Sequence, residues 1–495
     1  MAVSFLSVIP AAFGGVAWGI LGGALPGISP SITMALLLPF TYNMAPTTAV
    51  VMLACTYIGA EYGGSIPAIL IRTPGTNAAA ATVVDGYMMK VQGKAGEALG
   101  ISLYSGFVGG LFGMLVLVGL TERLSSVALA FTPPAYFALG VLGLSVIATL
   151  AGDSLVTGLI AGVLGLMIST VGTDPVTGLN RFTFDSPELL SGIPPLLVMV
   201  GLYAVGDLFV KTGEPDWAKA TSEDARIKFP SPALWKRIAR PQMIGSLLGA
   251  FEGMMPGGGG AVSSFLAYNE ARRWSRHKEE FGHGSPEGIA APEAANNTVA
   301  CTALVPMLSL GIPSSNSSAV LLGGFLMHGL IPGPLLFVSH ADVVHGLYVG
   351  MFAGNVAMLI IGYLIMSPCM WLVNRPKPYL MAFIYALVVS GVYAIQNSIF
   401  HVGLTLGFGV LGSAMKYFKL PVLPMVLGVV LGFVVESNYR RALVISGGDY
   451  RTFVQDPIAA GLLVLAFLFV TGALVRRLRD SWLATIPPTA TADTR

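Results

Sequence analysis

The chain has 495 residues, 54% of them hydrophobic and only 11% charged. Soluble domains carry about 25% charged residues, whereas Ala2 to Ala60 holds no Asp, Glu, Lys or Arg, which excludes a soluble globular protein. The net charge of +2 and the few basic residues, gathered in short loops, read as membrane topology, and no nucleic acid is expected as a partner.

The apolar runs are long and continuous rather than alternating, so an all-α polytopic membrane protein is expected and not a barrel. Each crossing takes roughly 20 apolar residues. Spans are predicted at 3–25, 46–62, 97–120, 134–151, 153–171, 192–211, 288–305, 343–368, 379–396, 400–416, 420–436 and 456–475. Four Pro/Gly-broken stretches lie among them, near 26–40, 63–84, 241–269 and 306–330, and are read as half-helices or re-entrant hairpins.

The first 25 residues lack a basic n-region and an evident cleavage site, so they read as a retained membrane segment. They run into Leu25-Pro26-Gly27-Ile28-Ser29-Pro30. Pro26 and Pro30 remove backbone donors, and Gly27 permits a positive φ. Ser29, Ser31 and Thr33 place hydroxyls at the start of the next helix, whose free N–H groups and dipole suit a carboxylate. A structural kink capped by serines has the same signature. The second break, Thr73-Pro74-Gly75-Thr76-Asn77, again joins a turn to hydroxyls and an amide. Glu61 and Arg72 flank it and could pair; Arg72 could equally meet an anion or snorkel to the headgroups.

Residues 1–211 are read as a first membrane repeat, and the polar 212–240 as a cytoplasmic linker. Residues 241–476 follow as a second repeat with an extra C-terminal span, and 477–495 as a cytoplasmic tail, expected to be disordered from Thr485. The first break returns 230 positions later as Met255-Pro256-Gly257-Gly258-Gly259-Gly260, with Gly249 and Gly253 matching Gly19 and Gly23. Gly257, Gly258, Gly259 and Gly260, with Ser263, leave backbone N–H groups open to an anion, although small residues also serve tight helix packing. Glu293, Asn296 and Asn297 follow in apolar context. They are functional if they sit at membrane depth and unremarkable at the interface.

The second break returns at an offset of 239, pairing Pro67 with Pro306 and Pro74 with Pro313, as Ile312-Pro313-Ser314-Ser315-Asn316. Oxygens of Thr76, Asn77, Ser315 and Asn316 suit a coupling Na⁺, and the N–H ends and hydroxyls suit a carboxylate. No other cofactor is expected. Cys55, Cys301 and Cys369 are too far apart for a metal motif, and nothing brings His328 to Ser315, so a membrane hydrolase is unsupported.

The 211–240 loop and the 272–278 run are both basic and both expected in the cytoplasm, which favours a hairpin between them. The equivalent first-half segment has no Lys or Arg until Arg72, so the halves are read as inverted repeats. Arg476, Arg477 and Arg479 put the C-terminus inside; Arg440, Arg441 and Arg451 fit this parity less well.

The stretches Gly23-Ala24-Leu25-Pro26-Gly27, Tyr62-Gly63-Gly64-Ser65-Ile66-Pro67, Thr73-Pro74-Gly75-Thr76 and Asp85-Gly86-Tyr87 resemble the large membrane subunit of the tripartite tricarboxylate transporters. In the second half, Ser264-Phe265-Leu266-Ala267-Tyr268, Ala291-Pro292-Glu293-Ala294-Ala295-Asn296-Asn297, Leu310-Gly311-Ile312-Pro313 and His328-Gly329-Leu330-Ile331-Pro332-Gly333-Pro334 carry the likeness. The chain departs where the family often has a second Pro-Gly, with Pro313-Ser314 instead. The resemblance implies a bacterial inner-membrane permease that imports organic carboxylates on a sodium or proton gradient. It also implies a small membrane subunit of about four spans, a periplasmic solute-binding protein, and elevator-like transport and scaffold regions. A passive anion channel is the alternative. One orientation test follows from the charges alone: a cysteine introduced by Ser275→Cys should react with an impermeant maleimide only from the cytoplasmic side of vesicles, and labelling from outside would break this topology.

Overall fold

In a computed structural model of the chain, residues 5–26, 28–128, 131–150, 155–174, 178–212, 227–255, 259–373, 375 and 377–484 are described. Gly27, Pro256, Gly257, Gly258, residues 213–226 of the expected linker and the tail from Thr485 lie outside them.

The described chain is almost wholly helical. Its first half forms α1 (Phe5–Gly23), α2 (Pro30–Thr41), α3 (Pro46–Gly63), α4 (Ser65–Ile71), α5 (Ala80–Val91) and α6 (Ala95–Ala128). Then come α7 (Pro133–Leu150), α8 (Leu155–Ser169), α9 (Pro195–Met199) and α10 (Gly206–Thr212), with a wider π-helical turn at Val200–Val205. The second half forms α11 (Pro232–Met254), α12 (Gly259–Trp274), α13 (Pro286–Thr302), α14 (Leu304–Leu310), α15 (Asn316–Met327), α16 (Pro334–Ser339) and α17 (Ala341–Leu364). The last helices are α18 (Met366–Val373), α19 (Lys377–Gln396), α20 (Ile399–Tyr417), α21 (Val422–Ile445), α22 (Thr452–Gln455) and α23 (Pro457–Ala484). Many begin with proline, as at Pro30, Pro46, Pro232 and Pro286, where the first-turn N–H has no helical partner to lose.

Among the described residues six helical stretches are long and apolar enough to cross a membrane, including Pro46–Ile71, Ala95–Ser126 and Val422–Ile445. Among the shorter apolar helices, α2 and α15 each begin at a Pro/Gly break. The stretch read as a span at 288–305 forms α13, buried from Glu287 to Thr302 and packed against α6, α11 and α12. Its polar residues are affordable there because protein, not lipid, surrounds them. The second-half hairpin is also longer than its sequence signal, since α11 runs from Pro232 straight through Pro241.

Contacts define two compact units. One comprises Met1–Ala130 and Val171–Phe418, and the other Phe131–Thr170 and Lys419–Arg495. In the second, Phe137 packs its ring 4.9 Å from Phe453 and 5.3 Å from Tyr439, and Asp456 caps α23 through the Ala459 N–H at 2.8 Å.

Within the first unit the internal repeat is visible as repeated contacts. A Cβ on Gly15 would overlap the Met52 carbonyl, one on Gly19 the Thr56 carbonyl and one on Gly23 the Ala60 carbonyl, so α1 and α3 touch backbone to backbone. Gly245 and Gly249 stand in the same relation to the Ala291 and Ala295 carbonyls, and Gly253 to Thr302, between α11 and α13. The sequence offsets of 230 for the glycines and 239 for their partners reproduce the Gly15 and Gly19 pairs residue for residue, whereas Gly253 meets the Thr302 side chain first and Val299, the residue the offset indicates, second. The breaks repeat as well. Arg72 and Gly311 both turn into the left-handed region, with φ of 58° and 74°. The N–H groups of Thr73 and Ile312 then reach back to the carbonyls of Pro67 and Pro306, each at 3.3 Å.

The halves are also tied together. Asp85 of α5 accepts the N–H groups of Gly282, Gly284 and Ser285 on one oxygen, at 2.9, 2.8 and 2.9 Å. Gln92, just past the same helix, donates to the His283 carbonyl at 2.6 Å.

Close approach makes the glycine faces intolerant of volume. Gly19→Ala and Gly249→Ala should each destabilise the protein by about 1–3 kcal/mol, read as a lower midpoint in thermal unfolding in detergent. Gly119→Ala on α6, where an added Cβ meets nothing within 4 Å, should leave that midpoint unchanged or raise it, since alanine is the better helix former.

Candidate functional site

The two breaks nearest the centre of the first unit converge on α3 and α13. Asn296, 1% exposed, donates from Nδ2 to the backbone carbonyl of Glu61 at 3.4 Å. The Glu61 carboxylate, 6% exposed, has Asn296 and Thr76 as side-chain hydrogen-bond neighbours. Gly260, just inside α12, faces the same amide: a Cβ there would stand 2.6 Å from Asn296 Oδ1 and 3.1 Å from Ala78. The 72–79 break and the start of α12 thus meet over Asn296. One turn before Glu61 on α3, the Tyr57 hydroxyl lies 3.4 Å from Ser315 Oγ. Tyr203, in the π-helical turn, donates to Asn316 Oδ1 at 3.3 Å. Wider turns of this kind recur at functional positions because they redirect a side chain.

Glu61 Oε2, Asn296 Oδ1 and Ser314 Oγ are buried without a hydrogen-bond partner, as are Asp85 Oδ2, Asn297 Oδ1 and Asn355 Oδ1 elsewhere in the described residues. Such atoms are rare in folded proteins, and each strands a group that water would otherwise serve. The contrast with Glu293, on the same helix as Asn296, is informative. Its carboxylate takes the Thr82 hydroxyl on one oxygen and the Ser102 hydroxyl on the other at 3.1 Å. Ser65 extends this network, 2.6 Å from Ser102 and donating to the Tyr62 carbonyl at 2.8 Å. That network is closed and reads as a structural pin between α4, α5, α6 and α13. Glu61 has been left open.

Other residues singled out from sequence go elsewhere. Ser29 caps α2 through the Ile32 N–H at 3.3 Å and pairs with Ser31 at 2.8 Å, while Thr33 donates to the Ser29 carbonyl at 3.1 Å. Trp18 then holds the Thr33 carbonyl at 3.0 Å, so this first break closes on itself. Thr73 donates to the Ile71 carbonyl at 3.3 Å. Gly75 donates to the Gly64 carbonyl at 3.0 Å, and a Cβ there would overlap the Gly23 carbonyl, so its smallness serves packing. Thr76 accepts the Ala79 N–H at 3.3 Å, and Ser315 forms a capping box with Ser318, so both also cap the helices they precede. Asn77 and Asn316 are exposed at equivalent tips, and Pro313 is buried. Ser263 donates to the Gly260 carbonyl at 3.0 Å, and Gly259 takes φ +65°. Asn297 points away, donating to the Glu293 carbonyl at 3.1 Å and packing against Gly106 of α6. Arg72 lies over the Tyr87 ring at 5.7 Å and is not the partner of Glu61. Among the described residues no cluster of His, Cys, Asp and Glu suits a metal ion, and Ser315 is hydrogen-bonded to Tyr57 and Ser318, not to His328.

A sequence profile described as the tripartite tricarboxylate transporter TctA family matches residues 9–427. The chain belongs to this family. It is a multi-pass membrane protein and a component of a membrane transporter. A protein of Agrobacterium vitis named as an uncharacterized 52.8 kDa protein in the TAR-I ttuC' 3' region is 39% identical over 470 residues, covering 94% of this chain and 93% of its own. A second from the same organism, an uncharacterized protein in the TAR-II ttuC' 3' region, is 36% identical over 234 residues, 47% of this chain and 96% of its own. No solved structure matches. The TctA match covers both sets of breaks, so the open cluster at Glu61 and Asn296 lies within the part the family shares.

Tyr57 and Tyr203 line this candidate site through Ser315 and Asn316, and sequence reading missed them. For Tyr57 a signal existed: the 239-residue offset maps it onto Asn296. The closed and open acids should respond differently to mutation. Glu293→Ala strands the Thr82 and Ser102 hydroxyls, at about 1–3 kcal/mol each, and should lower the unfolding midpoint in detergent markedly. Glu61→Gln should leave it within a degree or two, and an equal drop for both would make Glu61 structural.

Proposed function

We propose that this chain is the permease subunit of a binding-protein-dependent secondary transporter of the bacterial inner membrane. It imports an organic carboxylate on a sodium or proton gradient. The observation that carries the reading is the set of buried, partnerless polar atoms, Glu61 Oε2, Asn296 Oδ1 and Ser314 Oγ, gathered on the equivalent breaks and the helices that support them. A finished structural kink would have satisfied them, as the first break does around Ser29.

The coupling ion, expected from sequence at Thr76, Asn77, Ser315 and Asn316, is better served by Glu61, Thr76 and Asn296, because Asn77 and Asn316 sit exposed at the tips. These three offer the oxygen atoms that either Na⁺ or a proton needs. The coupling logic is electrostatic. A substrate carboxylate about 4 Å from an ionised Glu61 is repelled by roughly 4 kcal/mol at an effective dielectric near 20. A cation on Glu61 removes that repulsion, so the cation loads first and the anion follows. The carboxylate then meets the N–H ends of α5 and α15 and the hydroxyls of Thr76 and Ser315. The periplasmic binding protein delivers the solute and sets much of its identity, and the small membrane subunit completes the complex. No bond is made or broken.

The test is uptake of a panel of labelled carboxylates into vesicles holding all three components, with sodium and pH gradients imposed separately. Accumulation above the outside concentration, driven by one gradient, is the expected outcome. Uptake that merely equilibrates the solute and ignores both gradients would identify a channel. Thr76→Val, Asn296→Ala and Asn316→Ala should each lower uptake tenfold or more, the equivalent of about 1.5–3 kcal/mol for a hydrogen bond to a charged group. The amount of folded protein should fall much less, and parallel loss of protein and uptake would assign these positions to folding.

A further inference from the structure

A strongly cationic hollow lies at the open end of the α11–α12 hairpin, away from the breaks. It holds about 450 Å³ and is lined by Lys236, Arg237, Arg240, Trp274, Arg276 and His277. Glu287 also lines it, but Arg237 neutralises this acid at 2.9 Å and holds Glu280 with its other arm at 2.5 Å. His277 shares Glu280 at 3.5 Å. Lys236, Arg240 and Arg276 are exposed and have no carboxylate within ion-pair reach among the described residues. Arg240 is held over the Trp274 ring at 5.7 Å. Exposed cations kept this close repel one another unless an anion joins them.

The apolar surface below the hollow identifies the anion's class. Met243, Leu247 and Phe251 follow Arg240 on one face of α11, spaced by four residues, and are 52%, 56% and 61% exposed. Val262 and Leu266 of α12 add to that edge at 47% and 40% exposed. A soluble anion needs the charges but not this edge. An amphiphile needs both, with its phosphate among the cations and its chains along the helices. Trp274 marks the boundary where indole rings settle at a membrane interface. The basic run that supplies these residues is the one expected on the cytoplasmic side, where anionic lipid is concentrated.

We propose that the hollow binds the phosphate of an anionic glycerophospholipid whose acyl chains lie along the exposed apolar edge of α11 and α12. The lipid would hold the hairpin at a fixed depth and so fix the height of the break at its tip. This site is independent of which solute or coupling ion the transporter uses.

The full chain, purified in an uncharged detergent, is titrated with phosphatidylglycerol, phosphatidylcholine or soluble glycerol 3-phosphate. Thermal unfolding and native mass spectrometry of retained lipid are the readouts. Phosphatidylglycerol should raise the unfolding midpoint and remain bound, while the other two should do neither. Changing Lys236, Arg240 and Arg276 to glutamine should weaken retention about fivefold for each charge removed. Equal stabilisation by phosphatidylcholine, or undiminished retention in the triple variant, overturns the proposal. The same response to glycerol 3-phosphate as to the lipid would reassign the hollow to a soluble anion. If the triple variant does not elute as one species, Leu247→Gln with Phe251→Gln, which leaves every charge in place, should still lower lipid retention, and unchanged retention there overturns the acyl-chain assignment.

Discussion

Breaking a helix inside a membrane protein frees N–H and C=O groups where no bulk water can reach them. The rest of this structure follows from how those groups are satisfied. Glycine faces let α1 lie directly on α3 and α11 on α13. Left-handed turns at Arg72 and Gly311 send the chain back to carbonyls one turn earlier. Hydroxyls of Ser29, Thr76 and Ser315 then take the first free N–H groups of the next helix. Only with this done can polar side chains be left partnerless at chosen places.

Two buried acids show the choice. Glu293 is surrounded by hydroxyl donors and pins four helices together. Glu61, on the equivalent helix of the other half, keeps one oxygen unserved and shares its neighbourhood with an equally unserved amide oxygen. Two buried carboxylates of the same chemistry thus differ in how many of their oxygens are served. Burial alone would not have separated them; the inventory of donors does.

Much of this was legible in the sequence, and the reason is geometric. Prolines, glycines and their spacings encode backbone interruptions directly, so Pro67/Pro306, Pro74/Pro313 and the Gly19/Gly249 pair announce the repeat in the sequence itself. Side-chain partnerships were not legible, because they depend on which helix faces lie together. Ser29 and Thr73 looked as promising as Thr76, yet their bonds are local. Asn296 and Asn297 are neighbours in sequence but face different helices, since successive helical residues turn by about 100°. Tyr203 comes from a region with no motif at all, and its role depends on a π-helical turn that nothing in Val200–Val205 advertises. That α13 is surrounded by protein was not legible for a related reason, as hydropathy does not distinguish lipid from protein as the surrounding medium.

The grip of Asp85 on three amides between residues 282 and 285 has a mechanical consequence. α5 begins just after the first-half break, and Asp85 at its middle and Gln92 just past its end hold residues 282–285, immediately before α13 and its asparagine. A helix is stiff along its axis, so a displacement at one end arrives at the other nearly undiminished. The two pseudo-equivalent halves are therefore yoked by a strut, and a shift that opens one tip is delivered to the root of the helix supporting the other.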